Sequence, residues 1–187
     1  MNYTLRAIAF FFILIFTCLC IISMQVPALI VYVPYHTLTA FFPSHNLSIV
    51  KQIHRYFRRY IRITEAAFGS LVVLMAWLFV PCEYVFTGQH RLMKKKDRVL
   101  LMANHQIYPD WFYLWIVARH QNRHGDVKIL LMSVLRYLPV LGFGMSLFEF
   151  IFLERKWMKD QSKLYKHLMT ALNDNLPLWL LIYPEVS

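Results

Sequence analysis

Apolar positions are not spread evenly along this chain. Ala7 to Ile22 carries no charged side chain, and apolar residues continue past Ser23 and Gln25 through Val26 to Val33. A run of that length satisfies the roughly 20 apolar residues needed to cross a bilayer as a helix. A second run, Ala66 to Val80, ends at Pro81 and falls short of a straight span. It is expected to be re-entrant or to lie within one leaflet. For the first run a cleaved leader is the competing reading, with Arg6 as its charged start and Val26-Pro27-Ala28 near a cleavage site. The run continues beyond that point, which favours a retained anchor. Residues 1–82 are therefore expected to form a membrane-anchoring region with apolar segments at about 7–33 and 66–80.

From Glu83 onward the apolar runs become short and alternate between strand-like and helix-like periodicity. Strands are expected at Glu83 to Thr87, Arg98 to Ala103, Val127 to Met132, Phe150 to Leu153 and Leu178 to Tyr183. Helices are expected at Trp111 to Arg119, at Val134 to Leu147 with breaks near Pro139, Gly142 and Gly144, and at Gln161 to Leu172. Leu164, Leu168 and Leu172 give the last of these an apolar stripe. A basic turn, Gly88 to Lys96, joins the first two strands. This order predicts an α/β fold in which N-terminal membrane helices precede a mixed sheet flanked by helices.

Composition strengthens the lipid-facing reading. The 187 residues are 58% hydrophobic and 17% aromatic, with a mean hydropathy of +0.44, which is too apolar for an ordinary soluble domain of this length. The net charge of +10 implies an anionic partner, either a phospholipid surface or a phosphate-bearing substrate. Nucleic acid is not expected, because the basic residues flank apolar runs and no nucleic-acid-binding signature is present. Lys51, Arg55, Arg58, Arg59 and Arg62 precede the second run, and Arg91, Lys94, Lys95, Lys96 and Arg98 follow it. Two complete spans would put these clusters on opposite sides of the membrane, whereas an embedded hairpin keeps both on one side. Lys94, Lys95 and Lys96 read as an interfacial anchor, with a polyphosphate contact as the alternative. Cys18, Cys20 and Cys82 make no disulfide or metal framework, and His120 and His124 lack a third ligand at metal-like spacing, so no metal is expected.

Asn104-His105-Gln106-Ile107-Tyr108-Pro109-Asp110 is the stretch richest in chemistry. On a regular helix at about 100° per residue, His105 and Asp110 would diverge by roughly 140°. Across a turn they can meet. The local sequence supplies one, with a strand ending near Ala103 and Pro109 suited to the first turn of a helix. Arg155 and Glu185 likewise follow expected strands, and open α/β sheets bind ligands at the carboxyl ends of their strands. Each has a plainer reading: Asp110 as a first-turn helix acid, His105 as a loop histidine, Arg155 paired with Glu154 or Asp160, and Glu185 as a solvated charge.

Taken together, Asn104-His105 with Asp110, Phe152-Leu153-Glu154-Arg155-Lys156-Trp157, and Tyr183-Pro184-Glu185 resemble the glycerolipid acyltransferases of the lysophosphatidic acid acyltransferase type. Gly142-Phe143-Gly144 before the central strand makes the chain similar to the eukaryotic branch that includes lysocardiolipin and lysophosphatidylinositol acyltransferases. The resemblance implies a catalytic His105 oriented by Asp110. It also implies acceptor binding by Asn104, Arg155 and Glu185, with Arg155 on the headgroup phosphate. Acyl-CoA would be the co-substrate and a lysophospholipid the acceptor, with no bound cofactor. An endoplasmic reticulum membrane with the site near its cytoplasmic face is implied too.

The chemistry is consistent with those roles. An alcohol needs a base to become a nucleophile, histidine can accept a proton near neutral pH, and a thioester is already activated, so no acyl-enzyme is required. A guanidinium suits phosphate through its planar fork. The family continues its third motif with Gly-Thr, whereas Val186-Ser187 stand here, so residues 83–187 are expected to be a partial acyltransferase domain, incomplete at the C-terminus. A catalytically inactive, membrane-anchored lipid-binding fragment is accordingly the alternative expectation.

Overall fold

A computed structural model describes residues 3–41, 47–79, 83–88, 97–107, 110–173 and 175–184. Two long helices come first, α1 (Tyr3–Phe41) and α2 (Leu47–Phe79). Then follow β1 (Arg98–Met102), α3 (Asp110–His120), β2 (Val127–Met132), a 3-10 turn (Ser133–Tyr137), α4 (Leu141–Leu147), β3 (Ile151–Leu153), α5 (Trp157–Asn173) and β4 (Leu178–Ile182).

The helices α1 and α2 form an antiparallel hairpin. Phe10 meets Phe79 edge to face at 5.7 Å, while at the other end Gln25 Nε2 donates to Thr64 Oγ1 at 2.7 Å and Tyr60 Oη donates to the Met24 carbonyl. The second apolar run, expected to be too short to span, lies from Ala66 to Phe79 inside this longer continuous helix, and Gln52–Phe79 is long and apolar enough to cross a bilayer by length and composition. The helix extends well upstream of Ala66 because the charges there do not interrupt it. Arg58 pairs with Glu149 at 2.7 Å, Arg62 with Asp126, and Glu65 with Lys128, so these side chains are spent on the fold and leave the helix unbroken.

The four strands lie in the order β1-β4-β2-β3, and every described pairing is parallel. The expected α/β architecture is present, with a parallel arrangement in place of the expected mixed sheet. One reason is that Glu83 to Thr87 does not pair as a strand. Its alternation serves another purpose: Tyr84 packs against Tyr113 and Phe86 stacks on His120, so the segment runs as an extended strap over α3. The basic segment 89–96 lies outside the described residues.

Val127, Ile129, Trp179 and Leu181 from the central strands share one buried cluster with Phe68 of α2 and Trp115 of α3. Phe68 sits 5.1 Å from Trp115 and 5.4 Å from Phe148, ring centre to ring centre. Two glycines permit the close approaches. A Cβ on Gly125 would come within 2.8 Å of the Arg62 carbonyl, and one on Gly142 within 2.1 Å of the Arg136 carbonyl, a separation no other residue can occupy.

Charges clamp the hairpin to the sheet. Glu65 is fully buried, and its partner Lys128 projects from β2. Asp126 receives Arg62 and also Arg123, whose guanidinium donates to the Asp97 carbonyl. Removing one member of a buried pair strands the other, at a cost of about 3–5 kcal/mol. Lys128→Met is therefore expected to destabilise by about that amount, while Lys128→Met with Glu65→Leu recovers most of it. Denaturant titration of the detergent-solubilised protein measures both; equal losses in the single and double variants would contradict this role.

Candidate active site

The parallel sheet brings the carboxyl ends of all four strands to one edge. Leaving β1, the ladder persists for one more residue, Ala103 N–H donating to the Ile182 carbonyl at 3.2 Å, before the chain turns away at Asn104 and His105. The helix α3 starts at Asp110, so its carboxylate stands at the amino end of a helix directly opposite the turn.

A single oxygen, Oδ2 of Asp110, accepts three hydrogen bonds: from His105 Nδ1 at 3.0 Å, from the Gln106 N–H at 2.7 Å and from the Ile107 N–H at 3.0 Å. The backbone N–H of Ile107, then the His105 side chain and the Gln106 N–H, hold the Asp110 carboxyl below the usual carboxylate range against an opposing effect of burial. The carboxylate is thus ionised and can only accept. It follows that Nδ1 of His105 is the donor in this bond, and in the neutral imidazole Nε2 is then the nitrogen with the lone pair. The His105 side chain is 27% exposed.

The other wall of the imidazole is aromatic. Tyr183, immediately after β4, stacks on His105 with ring centres 4.5 Å apart and an interplanar angle of 27°. Its hydroxyl is buried without a hydrogen-bond partner among the described residues, and burial, with Asp110 nearby, holds its pKa well above the usual tyrosine range. Tyr183 entered the sequence reading only as part of a motif and a strand. The signal that could have placed it is topological, since β4 pairs next to β1.

The remaining expected site residues are distributed along the same edge. Asn104 is exposed beside His105. Arg155 follows β3, at the far side of the sheet from β1; three strand spacings put it about 14 Å from the His105 end. The edge therefore carries the His105–Asp110 pair at one side and Arg155 at the other, and does not gather them at one point. Glu185 and Pro109 lie outside the described residues. A separate cleft lies at the opposite, amino edge, where Arg58, Arg62, Lys128, Glu149 and His167 line it. It is distant from the pair and belongs to the ion-pair clamp.

Residues 83–186, more than half of the chain, match the acyltransferase family model, and the chain belongs to that family. An uncharacterized acyltransferase of Schizosaccharomyces pombe is 34% identical over 142 residues, covering 69% of this chain and 41% of that protein. A probable 1-acyl-sn-glycerol-3-phosphate acyltransferase of Arabidopsis thaliana is 36% identical over 121 residues, covering 63% of this chain and 32% of its own length. The 2-acyl-1-lysophosphatidylinositol acyltransferase of Saccharomyces cerevisiae is 42% identical over 73 residues, covering 39% and 18% respectively. The chain spans less than half the length of these relatives. No solved structure matches it significantly.

The depressed Asp110 titration fixes a direction for acid stability. With the folded-state pKa below the unfolded value of about 3.9, the carboxylate stabilises the fold above that value and the contribution disappears as pH falls through the lower, folded pKa. Thermal melts of the wild type are expected to fall more steeply below about pH 4 than those of Asp110→Asn. Parallel curves for the two proteins would show that the carboxylate is not held as described.

Proposed function

We propose that this protein transfers a fatty acyl group from acyl-CoA to the free hydroxyl of a lysophospholipid at a membrane surface. The observation that carries the reading is the 3.0 Å hydrogen bond between His105 Nδ1 and Asp110 Oδ2 at the carboxyl edge of the sheet, which in the neutral imidazole leaves Nε2 as a base. Nε2 takes the proton of the acceptor hydroxyl as its oxygen attacks the thioester carbonyl. The tetrahedral adduct then collapses, the carbon–sulfur bond breaks, and the imidazolium returns the proton to the departing thiolate. Asp110 orients the ring and stabilises the imidazolium while it exists. Arg155 binds the headgroup phosphate, and Asn104 and Glu185 belong to the acceptor site. Related proteins named for 1-acylglycerol-3-phosphate and lysophosphatidylinositol support a phosphate-bearing acceptor. No metal takes part in this scheme.

The hairpin supports membrane association. Phe11, Phe12, Phe16 and Ile30 of α1, with Leu74, Trp77 and Leu78 of α2, all face outward. Large apolar side chains exposed in that number are stable in lipid and costly in water. Its other flank is bound to the domain through Arg58, Arg62 and Glu65, so the hairpin lies with one side in lipid and one against protein. The endoplasmic reticulum, with the site near the cytoplasmic face, is the location proposed.

Microsomes from cells expressing the wild-type chain or His105→Ala, supplied with labelled acyl-CoA and lysophosphatidic acid, test the reading. A positioned base contributes about 10²–10⁴-fold, so the variant is expected to lose at least about 10²-fold in acyl transfer. Equal rates above the untransfected background would overturn it.

A further inference from the structure

Arg155 occupies an unusual backbone position. It leaves β3 with φ of 59°, the left-handed region that side chains other than glycine seldom adopt. The residues on either side of it are held by one carboxylate. Asp160 Oδ1 accepts the Glu154 N–H at 3.0 Å and Asp160 Oδ2 accepts the Lys156 N–H at 3.0 Å. Asp160 is itself only 8% exposed, in the first turn of α5, and its own N–H donates to the Lys156 carbonyl. Arg155 in the middle of this clamp is exposed.

The arrangement has the same logic as the catalytic turn. There, the first-turn acid of α3 binds two backbone N–H groups of the preceding loop and so fixes His105. Here, the first-turn acid of α5 binds two backbone N–H groups and so fixes Arg155. A turn restrained at both neighbours cannot relax the residue between them out of its left-handed conformation, and this determines where the guanidinium emerges on the sheet edge. An acid used only to cap α5 would need one oxygen at the helix start. The bond to Glu154, upstream of Arg155, is the one that closes the clamp.

We propose that Asp160 is a positioning residue that sets Arg155 for the phosphate of the acceptor lipid. This rests on the reading that Arg155 binds that phosphate. The carboxylate does not touch the acceptor; it acts through the backbone at Glu154 and Lys156. The consequence is selective. Loss of the clamp weakens acceptors bearing a phosphate monoester while leaving a headgroup-free acceptor and the acyl donor as they were.

The test uses the full chain in microsomes, with oleoyl lysophosphatidic acid and monooleoylglycerol as acceptors and oleoyl-CoA as donor. Asp160→Asn keeps the side-chain volume but can accept only one of the two bonds. It is expected to lower the preference for the phosphorylated acceptor by about tenfold, what one hydrogen bond to a charged group is worth, with the donor KM unchanged. Arg155→Ala should lower it similarly, and the double variant no further. Should Asp160→Asn accumulate poorly, Asp160→Glu, which keeps the charge but displaces both oxygens, is expected to reduce the preference in the same way. A preference unchanged in the Asp160 variants but reduced in Arg155→Ala would overturn this inference alone. A preference unchanged in Arg155→Ala would overturn the headgroup reading and this inference with it.

Discussion

A carboxylate receiving three donors on one oxygen is what makes the rest of this molecule interpretable. Without Asp110, the turn between β1 and α3 would leave two backbone N–H groups unpaired and the imidazole free to rotate or to adopt its other tautomer. With it, Nδ1 of His105 is held as a donor and the ring is fixed in orientation. The parallel sheet supplies the frame, because β4 lies beside β1 and places Tyr183 against the open face of the ring. Backbone pairing, an aromatic wall and a first-turn acid thus fix the same side chain from three directions, which is the preorganisation that acid–base catalysis requires.

A second constraint ties that frame to the apolar hairpin. The apolar hairpin would be a generic anchor if it were joined to the domain only by its chain connection. Instead α2 is bound along its length: Arg58 to Glu149, Arg62 to Asp126, Glu65 to Lys128, and then Phe68 to Trp115 and Phe148. Farther along, Phe10 of α1 touches both Phe79 and Phe112, and Phe112 lies just two residues beyond Asp110. Packed side chains therefore join the hairpin to the turn that bears His105 and Asp110.

Much of this was legible before any coordinates. Val127 to Met132 has the boundaries its apolar run predicts, and the meeting of His105 with Asp110 follows from a strand, a turn and a helix start. The failures have local causes. Glu83 to Thr87 alternates like a strand because Tyr84 and Phe86 need a partner, but the partner is α3 and not another strand. The second apolar run looked short because Arg62 and Glu65 interrupt it in sequence, while in space both are neutralised by residues more than 60 positions away. Asp160 read as a bland partner for Arg155; its role as a backbone acceptor depends on which N–H groups the turn exposes, and composition does not encode that. The separation of Arg155 from His105 was equally hidden, since it follows from strand order.

The central claim is the tautomer of one imidazole. Nitrogen-15 NMR of selectively labelled histidine in nanodisc-embedded protein, at mildly alkaline pH and assigned by comparison with His105→Gln, reads it directly. The account predicts that His105 has its proton on Nδ1 and a bare Nε2, and that Asp110→Asn shifts this balance. A wild-type signal with the proton on Nε2 would leave no base facing the acceptor and would contradict it.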